Sequence, residues 1–403
     1  MIKKLIKISV IIVTTFLILV AVGFLLLRNS AYWPAVTLFS DNHRAERFKS
    51  MDEVFPQKSL IQASHNVWEF DYDLQLLPTH YTFEDETFDV KSFLERTETT
   101  GLAVLHKDSI VFESYYQNYT DTSQATSWSL AKSFVSALVG IAIQEGAIDS
   151  IHDPITYYVE SLENTAYDGV LIKDILTMSS GVDFNEDYDS FDADINMIFI
   201  RNFAFGEPMG EYLKRLDGKW DAGTYNNYIS SDTLALSMLV SEATNTPLST
   251  YLEEKLWQPM GAEHDAFWIL DSAEKEIGFC CLNAILRDYL RFGTLYLNGG
   301  ARNDNQIIPS QWVEDSISIH GDHLKPGDNP NSFWTFGYGY QWWLPEDPEG
   351  DFTAIGVWGQ YIYVHPEHDI VIVKTSTDGA YDENDHETIA FFRTLATHFS
   401  SND

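Results

Sequence analysis

The sequence predicts an α/β (α+β) fold in which one sheet is assembled from both ends of the chain and a helical region is inserted between them. Three observations lead there. Apolar runs suited to strands occur at 102–116 and again at 337–375, helical periodicity fills the interval, and an uncharged N-terminal run stands apart from all that follows.

Lys3, Lys4 and Lys7 precede a stretch from Ile8 to Leu27 without a charged residue, long enough as a helix to cross roughly 30 Å of hydrocarbon. The basic residues should stay cytoplasmic and the remainder should be exported, to the periplasmic or extracellular side of a bacterial inner membrane. Ala21-Val22-Gly23 is the best small-residue site for cleavage, which would make the protein secreted. Phe24 to Leu27 continue the apolar run beyond it, so an uncleaved anchor is the favoured expectation. The expected organisation is an anchor or signal segment at 1–30, a lead-in at 31–88 and a main domain at 89–400. Pro34, Pro56 and Pro78 mark the lead-in as irregular chain wrapped on the surface.

Leu102–His106 and Ile110–Tyr116 flank Lys107-Asp108-Ser109, a hairpin signal. Ser129 to Ile143 is apolar on nearly every face of a helix and should therefore be buried. Further helices are expected at Leu171–Met178, Ser231–Glu242, Leu248–Leu256 and Ala284–Tyr296. Strands return at Gly337–Leu344, Thr353–Gly356, Tyr361–His365 and Ile370–Thr375, before a last helix near Glu387–His398.

With 403 residues and 45% hydrophobic composition, the chain can bury one large core or two subdomains sharing a cleft. Lys and Arg total 25 against 60 Asp and Glu, a formal charge of −35 that opposes phosphate backbones and excludes nucleic acid as an expected partner. Cys280 and Cys281, the only two cysteines, are adjacent; they cannot join distant parts of the fold and are expected to be buried free thiols. Two such ligands do not make a metal site, and His365-Pro366-Glu367-His368 lacks helical zinc-binding geometry, so no metal is expected.

Ser129-Leu130-Ala131-Lys132 sets a hydroxyl and an amine three residues apart, on one face of a helix. A serine becomes a good nucleophile when a base takes its proton, and a lysine serves as that base only when neutral, which apolar burial promotes. The helix N-terminus adds a positive dipole end where an oxyanion would form. Spacing alone is weak evidence, because serine at a helix start is commonly an N-cap and lysine a solvated side chain.

Other segments raise its weight. Ser127-Trp128-Ser129-Leu130-Ala131-Lys132-Ser133-Phe134, Ile175-Leu176-Thr177-Met178-Ser179-Ser180-Gly181, Leu256-Trp257-Gln258-Pro259-Met260-Gly261-Ala262 and Arg287-Asp288-Tyr289-Leu290-Arg291-Phe292-Gly293 follow one another in order. Together, over roughly 48–397, they resemble the serine beta-lactamase-like, penicillin-recognising hydrolases, most closely the branch of esterases and 6-aminohexanoate-dimer hydrolases. The resemblance implies a beta-lactamase/transpeptidase-like antiparallel sheet flanked by helices with an inserted all-helical subdomain, here preceded by one transmembrane helix.

It also implies a tyrosine that moves the serine proton, followed two residues later by Asn or Ser. Tyr225-Asn226-Asn227 matches the literal spelling. Tyr228-Ile229-Ser230 sits at the family's spacing from Gly223-Thr224 and is preferred, which places Ser230 among the substrate-binding residues. A third element, a strand beside the nucleophile, usually carries Lys or His, a small residue and Gly. It matches Val357-Trp358-Gly359 without the basic residue, which argues against carboxylate substrates such as penicillins or D-alanyl peptides. Ser129 and Val357 are the implied oxyanion donors, and Trp358 is expected to wall the cleft.

The reading that follows is hydrolysis of a small-molecule ester or amide through an acyl-enzyme on Ser129, with Lys132 and Tyr228 handling the proton and no cofactor. Two alternatives remain open: a D-alanyl-peptidase or beta-lactamase facing the cell wall, and a non-catalytic membrane-anchored binding domain.

Overall fold

The computed structural model describes residues 2–30 and 32–401. Ala31, where the lead-in was expected to begin, lies outside them. The chain divides into two units, Met1–Pro56 and Gln57–Asp403.

In the first unit, Ile2–Arg28 is one helix of 27 residues, about 40 Å at 1.5 Å per residue. Its length and composition suffice to cross a bilayer, as an anchor or as a signal sequence. The short helices Trp33–Val36, Arg44–Lys49 and Met51–Val54 follow.

The second unit is organised by a sheet of eight strands in the spatial order Gly337–Tyr338, Trp343–Leu344, Phe352–Gly356, Gln360–His365, Ile370–Ser376, Thr99–His106, Ser109–Tyr115 and Asp71–Tyr72. Every pairing is antiparallel except the last, which is parallel. Ile370-Val371-Ile372-Val373 reads as a continuous apolar run because this central strand is buried on both faces. Ile372 belongs to the core that contains Phe391, Phe392 and Leu395 of the C-terminal helix Asp385–Ser400. Val371 faces the other way, toward helix Leu286–Leu297, where a Cβ on Gly293 would come within 2.6 Å of it; glycine lets helix and sheet meet that closely.

Helices Ala131–Gln144, Ile172–Leu176, Asp194–Phe205, Met209–Leu213, Ser230–Thr244 and Leu248–Leu252 form the inserted region. Sequence periodicity misses three features of the second unit. The lead-in, expected to be irregular as far as residue 88, contains short strands at Lys58–Ile61, Asp71–Tyr72, His80–Phe83 and Glu86–Asp89, the last ending one residue beyond it. Ala266–Ile269 and Leu282–Ile285, inside the stretch expected to be helical, are strands of a second sheet with Lys58–Ile61 and Gln124–Thr126. Four-residue apolar strands buried on both faces carry no alternation and read like helix segments. Cys280 and Cys281 are not free thiols: they form a disulfide with each other, in the buried connection between those two strands.

Candidate active site

The turn that presents Ser129 is held from both sides. Ser127 donates its backbone N–H to the Leu282 carbonyl at 2.7 Å, and its hydroxyl accepts from the Leu282 N–H at 3.1 Å. Trp128 then adopts φ +43°, a left-handed conformation that bulky L-residues avoid and that a well-packed surround must maintain. Ser129 lies in the short 3₁₀ turn Trp128–Leu130, immediately ahead of the Ala131–Gln144 helix.

One turn later, Lys132 is 1% exposed and its Nζ has three oxygen neighbours: Ser129 Oγ at 3.0 Å, Ser230 Oγ at 3.1 Å and the Phe279 carbonyl at 3.1 Å. Burial lowers its pKa from 10.5 to about 8, although the nearby Glu186 carboxylate pulls the other way. Glu186 takes both polar hydrogens of Ser230, the backbone N–H at 2.8 Å and the hydroxyl at 2.6 Å.

These contacts dictate a direction. A neutral amine has two N–H groups and one lone pair. The Phe279 carbonyl can only accept, and the Ser230 hydroxyl, whose proton is committed to Glu186, must also accept. Both N–H groups are thereby used, and the lone pair is left for the proton of Ser129.

Tyr228 precedes the Ser230–Thr244 helix, has its hydroxyl beside Ser129 and carries its ring 4.9 Å from Lys132 Nζ. Burial pushes its pKa well up, so the phenol holds its proton. Tyr225 lies elsewhere, stacked on Trp220 at 4.5 Å. The structure thus brings Ser129, Lys132, Tyr228 and Ser230 together, in the register preferred from the flanking residues.

Val357-Trp358-Gly359 is the tight turn between strands Phe352–Gly356 and Gln360–His365, not the interior of a strand. A Cβ on the preceding Gly356 would lie 2.7 Å from the Ser127 carbonyl and 3.1 Å from the Ser129 nitrogen. Only glycine lets this strand end approach the nucleophile so closely. Val357 and Ser129 line one cavity of about 830 Å³. Trp358 is not among its lining residues; its ring packs 5.8 Å from Tyr381, which is. A larger cavity of about 1100 Å³, beside Phe83, His386 and Arg393, has no serine, lysine or cysteine among its lining residues.

The sequence profile of the Beta-lactamase family matches residues 89–393. This chain belongs to the beta-lactamase family. A 6-aminohexanoate-dimer hydrolase from Paenarthrobacter ureafaciens is 28% identical over 341 residues, covering 78% of this chain and 86% of that one. The solved structure of a Bacillus anthracis protein, provisionally assigned as a 6-aminohexanoate-dimer hydrolase, superposes with a TM-score of 0.80 at 23% identity, over 90% of this chain and 96% of that one. EstCE1, a hydrolase with promiscuous acyltransferase activity, superposes with a TM-score of 0.61 at 13% identity, over 76% and 96% of the two chains. The eight-stranded sheet with its inserted helices is accordingly the beta-lactamase/transpeptidase-like fold, and the chain is one of the beta-lactamase-fold serine hydrolases.

Within this family member, sequence reasoning missed Glu186 and Phe279. Glu186 sits among Glu186-Asp187-Tyr188-Asp189, where nothing local distinguishes the one carboxylate that reaches Ser230 from its solvated neighbours. Phe279 contributes through its backbone carbonyl, which no side-chain pattern reports. The cavity's remaining walls are aromatic, with Phe333, Trp334 and Trp343, and acidic, with Asp187, Asp382 and Asp385; its one lysine, Lys219, lies 3.2 Å from Asp183.

Proposed function

We propose that this chain hydrolyses a linear amide or ester of a small molecule by two-step acyl transfer. Ser129 Oγ attacks the carbonyl carbon while its proton passes to Lys132 Nζ, giving a tetrahedral oxyanion. The backbone N–H groups of Ser129 and Val357 stabilise that oxyanion. Collapse breaks the bond to the leaving group, which takes a proton delivered from Lys132 through Tyr228. Water then attacks the acyl-enzyme, Lys132 and Tyr228 again carry the proton, and the acid leaves as Ser129 is restored.

The observation that carries this reading is the set of contacts around Lys132 Nζ, which leaves its lone pair for Ser129. The P. ureafaciens relative, by its name a hydrolase of an amide dimer, supports a linear amide as the first substrate to try. Val357 in place of a cation, in a cavity with several carboxylates, disfavours substrates whose recognition depends on a carboxylate. Residues 89–400 form the hydrolase domain in this reading, with 31–88 leading into it. The Ile2–Arg28 helix anchors the chain in a bacterial inner membrane and the domain lies on the exported side.

A fluorophosphonate probe, followed by peptide mapping, tests the chemistry. Labelling at Ser129, lost in Ser129→Ala, is the expected result. A folded protein that no serine-directed phosphonate labels would be a ligand-binding domain instead, and stoichiometric labelling by penicillin at low concentration would favour a cell-wall or beta-lactam substrate.

A further inference from the structure

The Cys280–Cys281 disulfide joins adjacent residues, so the ring it closes spans a single peptide bond. Loop-closure entropy, through which a disulfide ordinarily stabilises a fold, is minimal for such a ring. What the bond does restrain is local. Cys281 is held at φ +71°, a left-handed conformation that an L-residue with a Cβ disfavours. Both carbonyls of the pair and one of its N–H groups are hydrogen-bonded: the Cys280 N–H donates to the Ile277 carbonyl at 3.1 Å, and the Cys280 carbonyl accepts from Trp268 Nε1 at 2.7 Å. The Cys281 carbonyl accepts from the Ile269 N–H at 3.1 Å and from Asn283 Nδ2 at 2.9 Å. The peptide immediately before the ring supplies the Phe279 carbonyl that accepts from Lys132 Nζ, and the Phe279 ring lies 5.6 Å from the same nitrogen.

We infer that the Cys280–Cys281 disulfide is a redox-sensitive positioning element for Lys132. It aims the Phe279 carbonyl at Nζ when closed and releases it when reduced. The inference rests on the hydrolase reading above. In the reducing step a dithiol reductant supplies two electrons and two protons. The S–S bond breaks, both cysteines become thiols, and the reductant is oxidised to its own disulfide. Cys281 is then free to leave the left-handed region, the peptide it shares with Cys280 turns, and the Phe279 carbonyl loses its line to Lys132. One amine N–H is left without its acceptor, and the lone pair is no longer held on Ser129. Cys280 and Cys281 are 4% and 2% exposed, so reduction proceeds through local opening and is slow.

The experiment uses the full-length protein in detergent. Thiols are counted by alkylation and mass spectrometry, and the rate of fluorophosphonate labelling at Ser129 is measured before reduction, after it and after reoxidation. The labelling rate falls about tenfold or more, equivalent to ~1.4 kcal/mol, when both thiols are free, and recovers on reoxidation. A Cys280→Ala/Cys281→Gly variant, in which glycine accepts the positive φ without a disulfide, labels at a rate indifferent to reductant. Equal rates in both redox states overturn the inference and leave the hydrolase reading intact. Reductant sensitivity in the double variant overturns it too, as does loss of the cooperative thermal transition on reduction. No labelling in any state overturns the hydrolase reading, and the inference falls with it.

Discussion

The Ser230 hydroxyl lies 2.6 Å from Glu186 Oε1, and a carboxylate at that distance accepts its hydrogen bond. Ser230 must therefore accept from Lys132, 3.1 Å away, so Glu186 orients the amine without touching the nucleophile. Replacing Glu186 with Gln lets the side-chain amide donate to Ser230, whose proton can turn toward Lys132. The expected outcome is a fall in kcat of about tenfold or more, ~1.4 kcal/mol, with KM changed far less. Because the Glu186 charge raises the Lys132 pKa, its removal should also shift the acid limb of the pH profile to lower pH. Steady-state kinetics of E186Q and E186D across pH check both effects.

Lys132 acts as a base only when neutral. With its pKa lowered from 10.5 to about 8 by burial, kcat/KM should rise with pH through about 8 and level above it, since the neutral fraction grows in that direction. Lys132→Arg, charged throughout this range, should remove turnover at every pH. A profile already flat at pH 6 would rule out Lys132 as the base.

The two candidate tyrosines separate cleanly. Tyr228→Phe removes the hydroxyl beside Ser129 and should cost about 10²–10⁴ in kcat, the usual range for a positioned proton carrier. Tyr225→Phe keeps the ring that stacks on Trp220 and should leave kcat within about threefold of the parent, below one kcal/mol. Parallel kinetics of the two variants decide between them.

Gly356 sets the approach of the Val357 turn to the nucleophile. In Gly356→Ala the new methyl meets the Ser127 carbonyl and the Ser129 nitrogen and must push the turn outward, costing about 1–3 kcal/mol of stability. Loss of one oxyanion donor should lower kcat by about 10²–10³. Thermal melting and kinetics on the same sample distinguish a displaced turn from an unfolded protein.

The anchor reading predicts that the expressed protein sediments with membranes and keeps residues 2–28, as measured by intact mass. A mature chain beginning after Gly23 would show that the segment is a signal peptide.

Short-range geometry explains what the sequence by itself determined. Ser129 and Lys132 meet because helical spacing puts residues three apart on one face, and the apolar run from Phe134 to Ala142 requires a buried helix whatever surrounds it. Hairpin strands and the two-sided apolar strand Ile370–Ser376 were legible for the same reason, since pattern and period are local. Only the tertiary structure decided which groups surround Lys132. Ser230 starts a helix while Glu186 and Phe279 lie in two separate loops, and Phe279 contributes a carbonyl that every residue type possesses. The same limit applies to Cys280 and Cys281. Their adjacency was plain, but whether they bond depends on the conformation of the buried connection between strands Ala266–Ile269 and Leu282–Ile285, which distant chain sets. Local spacing fixes which side chains share a face, whereas the protonation and direction of a buried amine depend on neighbours delivered by distant chain, which no local pattern encodes.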